Sequence, residues 1–186
     1  MRGPRCLALL IAALMGLSRP LGDSPLTTKA AFGVDRIYQE SVSMQSAIKA
    51  GKSVGTVTSY GAILRGDVVV FHPPDSALAP GSSPQPTTVF LNRVIGLPGE
   101  TVSVAGNTVR INGAPLDEPY LAPGTVNDDF GPVTVSMASF FVLGDTRQNS
   151  DGSRMFGPIA SSSIVAVGTT ILAPAGHKGS IAGSPR

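Results

Sequence analysis

No long segment of this chain places apolar residues at helical spacing, whereas glycine and proline, 22 and 16 of its 186 residues, recur throughout. Short β-branched runs bounded by such turn-forming residues are typical of strands. A chain of 186 residues with 42% hydrophobic content can bury one core rather than two. The sequence therefore predicts a single all-β domain, built compactly from mostly antiparallel strands with few helical turns.

Two local patterns predict strands most directly. The run "GDVVVFHPP" at 66–74 is β-branched and ends in two prolines, and residues 101–112 alternate in polarity on both sides of Gly106 and Asn107. The second pattern predicts a hairpin that turns four side chains inward, those of Val102, Val104, Val109 and Ile111. Residues 30–56 show no clean period and are predicted to form a strand followed by a turn.

The two ends of the chain differ from its body. Residues 1–22 set two arginines ahead of an apolar run of about 12 residues, which is the layout of an export signal and is short of the ~20 residues that cross a bilayer. This segment is either a cleaved signal peptide or a short uncleaved anchor, and in both cases we expect the body of the protein to be exported. We expect a β domain at 29–173 and a disordered tail at 174–186.

Composition argues against several classes of function. The net charge is only +2 and the basic residues are scattered, so the chain lacks the charge pattern of a nucleic-acid-binding protein. Cys6 is the single cysteine, and His72 and His177 lie far apart with no acidic companion at ligand spacing. We therefore predict no intramolecular disulfide, no metal site and no cofactor, and we expect both histidines at the surface.

Four stretches follow one another along the chain: "ESVSMQSAI" at 40–48, "RGDVVVF" at 65–71, "NRVIGLPGE" at 92–100 and "GDTRQNSDGSRMFG" at 144–157. Together they resemble the type I signal peptidase family, serine peptidases that remove signal peptides from exported proteins. The resemblance spans residues 37–172 and implies that family's antiparallel β catalytic core. It also implies an extended peptide or preprotein as substrate, and a location in the periplasm or at the outer face of the cytoplasmic membrane.

The family's site residues map onto five positions of these stretches. Ser43, before the methionine, matches the nucleophile, and Ser41 matches the serine that helps to hold the oxyanion. Ser150 matches the serine that positions the ammonium group of the catalytic lysine. Asp145 and Arg154 match residues that brace the site.

The position of the lysine itself holds Asn92. A carboxamide has no basic nitrogen, so it cannot remove the serine proton at neutral pH. A positioned base typically contributes roughly 10² to 10⁴ in rate. Three functions remain open: a signal peptidase I-like serine endopeptidase, an inactive homologue that serves as a peptide-binding or structural module, and a conjugal-transfer maturation peptidase. We do not expect His72, Lys49 or Lys52 to replace the missing base.

The same polar residues also admit plain structural roles. Asn92 could bond to a neighbouring backbone from a strand face, and Arg93 could reach solvent from a strand edge along its apolar stem. Asp145 and Arg154 could act as an ion pair or a turn brace. These interpretations make different predictions about burial and partners.

Overall fold

The structure is a computed structural model that describes residues 28–29, 34–39, 43–46, 48, 52–57, 61–78, 81, 88–172, 178–181 and 183. The predicted leader at 1–22 lies outside the described residues, as do Ser41, Lys49 and His177. No helix within these ranges is long and apolar enough to span a membrane.

Strands dominate the described chain. Their bounds are β1 Thr28–Lys29, β2 Val34–Gln39, β3 Lys52–Val57, β4 Val68–Phe71, β5 Phe90–Gly96, β6 Thr101–Ala105, β7 Thr108–Ile111, β8 Ala114–Pro115, β9 Phe130–Thr134, β10 Ser139–Leu143, β11 Ile159–Ala160, β12 Ile164–Leu172 and β13 Lys178–Ser180. One short α-helix, α1, covers Ser153–Phe156, and 3-10 turns cover Asp75–Ala77, Arg147–Asn149 and Ser161–Ser163.

Two antiparallel sheets account for the strands of the described residues. The larger sheet has the order β1-β2-β3-β12-β4-β5-β10-β11, with β13 also paired to β12, and the smaller has the order β8-β7-β6-β9. Strand β5 pairs with β4 through its first half and with β10 through its second half. The predicted all-β class with few helical turns is confirmed.

Both faces of the larger sheet are buried at β4, which explains why this strand reads as a continuous apolar run. Val68 and Val70 belong to a core cluster on one face, and Val69 and Phe71 belong to a cluster on the other. Strand β5 follows the same alternation, with Leu91 in the first cluster and Val94 in the second. Successive residues of β5 therefore enter different environments.

The predicted hairpin is confirmed, with Val102 opposite Ile111 and Val104 opposite Val109. Gly106 and Asn107 both have positive φ, 58° and 66°, as a two-residue turn of this type requires. The hairpin valines join a third core cluster between the sheets, formed by Ile95, Val102, Val104, Val109, Val135, Phe141 and Leu143.

Two predictions about local structure were wrong or incomplete. Residues 30–56 contain β2, a turn and a second strand, β3, which pairs with both β2 and β12. The tail at 174–186 was predicted to be disordered, yet Lys178–Ser180 pairs with β12 and Ile181 is only 1% exposed. In both cases the partner strand β12 supplies backbone hydrogen bonds that the local sequence does not reveal.

Candidate functional site

A turn at residues 43–46 presents Ser43, and the segment that follows β10 holds this turn in place. The Thr146 N–H donates to the Ser43 carbonyl oxygen at 2.9 Å, and the Gln45 N–H donates to Thr146 Oγ1 at 3.1 Å. Between them, the Asp145 N–H donates to Met44 Sδ at 3.4 Å, and the Met44 side chain is fully buried. Three successive residues of the turn are thus fastened to one short segment.

Gly144 brings Ser43 and Ser150 to a common point. A Cβ atom at residue 144 would lie 2.7 Å from the Ser43 carbonyl oxygen and would overlap the Ser150 side chain. Any side chain at this position would therefore push the two serines away from the segment. The glycine of the last sequence motif is explained by this close approach.

Asn92 lies in β5 opposite Val69 and is 1% exposed. Its Nδ2 donates to the Asp151 carbonyl oxygen at 2.8 Å, which attaches it to the residue next to Ser150. The interpretation of Asn92 as a strand residue bonded to neighbouring backbone is confirmed. The position next to the Ser150 segment holds an uncharged amide, which donates a hydrogen bond and offers no basic nitrogen.

Arg93 does not reach solvent, so that interpretation was wrong: its side chain is completely buried. Its Nε and Nη2 donate to the two carboxylate oxygens of Asp145 at 2.9 and 2.7 Å, and its Nη1 donates to the Gly66 carbonyl at 2.8 Å. The guanidinium also lies 4.0 Å from the centre of the Tyr120 ring. Burial raises the pKa of Asp145, and the hydrogen bonds and charge of Arg93 oppose that rise.

Asp145 and Arg154, which the resemblance predicts to brace the site, have different partners. Asp145 pairs with Arg93, while Arg154 Nη1 pairs with Asp128 at 2.9 Å and its Nη2 donates to the Arg147 carbonyl at 3.1 Å. The Asp128 side chain is 74% exposed, so this second ion pair contributes little to stability. The Arg93–Asp145 pair, in contrast, is fully buried.

Sequence reasoning missed a second buried arginine, Arg147, which is 3% exposed. Its Nε donates to the Gly144 carbonyl at 3.1 Å, its Nη1 donates to Asn127 Oδ1 at 2.6 Å, and its guanidinium forms an ion pair with Glu118. The signal was present in the acidic residues at 117–118 and 128–129, because a buried arginine requires a carboxylate partner.

A shallow pocket lies beside Ser150. Its lining consists of Asn127, Asp128, Phe130, Leu143, Arg147, Ser150, Gly152 and Arg154. Across the described ranges, no three His, Cys, Asp or Glu side chains come together as metal ligands.

Comparison with known proteins identifies the family. The family model described as "Signal peptidase, peptidase S26" matches residues 25–173. The chain belongs to this signal peptidase family. It is 44% identical over 101 residues to signal peptidase I of Leptolyngbya laminosa, covering 54% of this chain and 48% of that one. It is 38% identical over 109 residues to signal peptidase I S of Bacillus subtilis (strain 168), covering 53% of each chain.

The chain spans about half the length of these two curated signal peptidases. Among solved structures, signal peptidase I of Enterococcus faecalis V583 is 32% identical, with a TM-score of 0.47, covering 59% of this chain and 98% of that one. The roles carried over from signal peptidases to Ser41, Ser43, Ser150, Asp145 and Arg154 remain predictions. Of these, Ser43, Ser150 and Asp145 lie around Gly144 in the structure.

Proposed function

We propose that this chain is a signal peptidase-like module that binds an extended preprotein segment but does not hydrolyse it at an appreciable rate. The proposal rests on Asn92, which the motif resemblance aligns with the lysine of signal peptidases and which is buried against the Asp151 carbonyl. The proposal is also supported by the turn that contains Ser43, which is held by hydrogen bonds, and by the buried ion pair between Arg93 and Asp145.

The chemistry of the missing base explains why hydrolysis would fail. Ser43 Oγ would attack the scissile carbonyl, forming a C–O bond as its proton passes to a base, and the amine would then leave with that proton. A neutral lysine can accept the proton because burial lowers the pKa of an ammonium group. The Asn92 amide cannot, so the rate should fall by roughly 10² to 10⁴.

A second candidate is an active serine endopeptidase that removes signal peptides. It is favoured by the three hydrogen bonds that seat the turn around Ser43, because a positioned hydroxyl is the first requirement of a serine nucleophile. This candidate needs a base at a position other than 92. For either candidate we propose that the domain acts outside the cytoplasm, at the outer face of the cytoplasmic membrane.

Cleavage of a preprotein with small residues before its scissile bond distinguishes the two candidates. We expect the natural chain to cleave at a rate lower by roughly 10² to 10⁴ than Asn92→Lys, whose activity Ser43→Ala should abolish in the same background. Gln148→Lys is the matched control, because residue 148 is exposed and a lysine there stays solvated and charged.

Binding is measured in parallel by fluorescence anisotropy with a labelled signal peptide. We expect the natural chain and Ser43→Ala to bind this peptide equally, since the substitution keeps the backbone hydrogen bond that holds the turn. Cleavage by the natural chain as fast as that by Asn92→Lys, and lost in Ser43→Ala, would refute the silent module and establish the active endopeptidase. If the peptide does not bind to any variant, the peptide-binding function is wrong.

A further inference from the structure

Both buried arginines of the site reach the same loop. This acidic loop, residues 116–129, connects β8 to β9. Arg93 places its guanidinium 4.0 Å from the Tyr120 ring centre, and Arg147 forms an ion pair with Glu118. The loop therefore contacts the site from a region of the sequence that none of the family motifs includes.

Glu118 and Tyr120 are themselves linked. The Tyr120 hydroxyl donates to Glu118 Oε1 at 2.7 Å, and the Glu118 side chain is only 8% exposed. Burial, together with the nearby Glu118 carboxylate, raises the pKa of Tyr120, so its hydroxyl stays a hydrogen-bond donor at neutral pH. One carboxylate thus accepts hydrogen bonds from both Tyr120 and Arg147.

These contacts continue to the candidate nucleophile. Arg147 Nε donates to the Gly144 carbonyl at 3.1 Å, and the next residue, Asp145, holds Arg93 with both of its oxygens. The N–H of Asp145 donates to Met44 Sδ, and the N–H of Thr146 donates to the Ser43 carbonyl. The segment 144–147 is therefore held from the loop side by its arginine and from the other side by the Ser43 turn.

The ion pairs of the two buried arginines show why the position of the segment 144–147 depends on the loop. Each of the two buried guanidinium groups has its own ion-pair partner, Asp145 for Arg93 and Glu118 for Arg147. Loss of the Glu118 charge would leave Arg147 buried without a counterion, and such a group moves toward water or draws on another carboxylate. Either movement would displace the Gly144 carbonyl and the segment that seats Ser43.

From these contacts we infer that Glu118 and Tyr120 are positioning residues, which hold the segment 144–147 so that the Ser43 turn keeps its place. The inference rests on the proposed function only in taking Ser43 as the serine that faces substrate. Its test uses no substrate, so a failure of peptide binding and a failure of this inference remain distinguishable.

The test is hydrogen exchange of single backbone amides in the natural chain and in Glu118→Gln. The amides of Asp145 and Thr146 report on the seat of the Ser43 turn, and those of His72 and Gly99, hydrogen-bonded to Ser163 and Val135, report on the rest of the fold. Removal of the charge should speed exchange at the first pair by about 10- to 100-fold and leave the second pair unchanged.

Two further variants complete the experiment. Asp117→Asn removes a neighbouring exposed carboxylate and should leave all four amides unchanged. Tyr120→Phe keeps the ring beside Arg93 and loses only the hydroxyl, so it should speed exchange at Asp145 and Thr146 by about 3- to 10-fold even if Glu118→Gln does not fold. Equal acceleration at all four amides in Tyr120→Phe, or none at any of them, would overturn the positioning role.

Discussion

Asn92 and Arg93 are adjacent in β5, and the alternation of the strand directs their side chains to different faces of the sheet and to different partners. Arg93 meets a carboxylate that fits its planar fork, and Asn92 meets a single backbone carbonyl. The polar pair within this apolar strand is thus fully explained by two separate partners. The motif resemblance predicts that Asn92 occupies the position of the family's base, and the structure shows that Arg93 forms a buried ion pair with Asp145.

The buried pair predicts a large effect of Asp145→Asn. The change keeps the shape of the side chain but leaves the Arg93 charge without its counterion, so the free energy of unfolding should fall by about 3–5 kcal/mol, as measured by urea denaturation. Asp151→Asn is the matched control, since that side chain is exposed and should change stability by no more than about 0.5 kcal/mol. Equal losses in the two variants would contradict a special role for the buried pair.

At the scale of elements, the turn between β5 and β6 is held by one carboxylate. Glu100 Oε2 accepts the Leu97 N–H at 2.7 Å, and Glu100 Oε1 forms an ion pair with Arg65. Burial by itself raises the pKa of Glu100, but the hydrogen bonds from Arg65 and Leu97 together outweigh it, so the net shift lowers the pKa. The charged form of Glu100 is therefore favoured by folding.

This shift predicts a pH dependence of stability. Because the pKa of Glu100 is lower in the folded state, its contribution is present above the ordinary value of 4.5 and is lost as pH falls through the folded value. The difference in unfolding free energy between the natural chain and Glu100→Gln should thus be constant near neutral pH and shrink below about pH 4.5. A difference in unfolding free energy that does not change between pH 3 and pH 7 would refute this prediction. Asp117→Asn, which alters an exposed carboxylate, is the control.

Elements whose formation depends on neighbouring residues could be predicted from the sequence. Elements that form only by pairing with distant strands could not. The hairpin around Gly106 and Asn107 follows from its turn residues and its alternating valines. Strand β3, "KSVGTV", has neither a clean period nor a strong apolar face, and it forms because β2 and β12 pair with it on both sides. The site follows the same rule, since Glu118 and Tyr120 lie outside the motifs that identify it.

At the scale of the whole molecule, the carboxy-terminal strand β13 completes the core. Ile181, directly after this strand, is 1% exposed and packs in the same cluster as Met44 of the Ser43 turn. Met44 directly follows Ser43 in the chain, so Ile181 packs in the cluster that contains the neighbour of the candidate nucleophile.

Ile181→Ala should therefore lower the free energy of unfolding by about 2–5 kcal/mol in thermal or urea denaturation, because it removes buried methyl groups and leaves a cavity. Met155→Ala is the control, since Met155 is 67% exposed and its truncation should cost no more than about 0.5 kcal/mol. If the tail were disordered, Ile181→Ala and Met155→Ala would instead have the same free energy of unfolding.

By itself, the sequence determined the all-β class, the hairpin and the family, because strands, turns and motifs are each runs of neighbouring residues whose order can be read along the chain. Only the tertiary structure decided where the polar residues of β5 point and what they bind. The partners of Asn92 and Arg93 lie 59 and 52 residues away. No local pattern encodes such a contact, since it exists only once the sheet has brought β5 and the segment after β10 together.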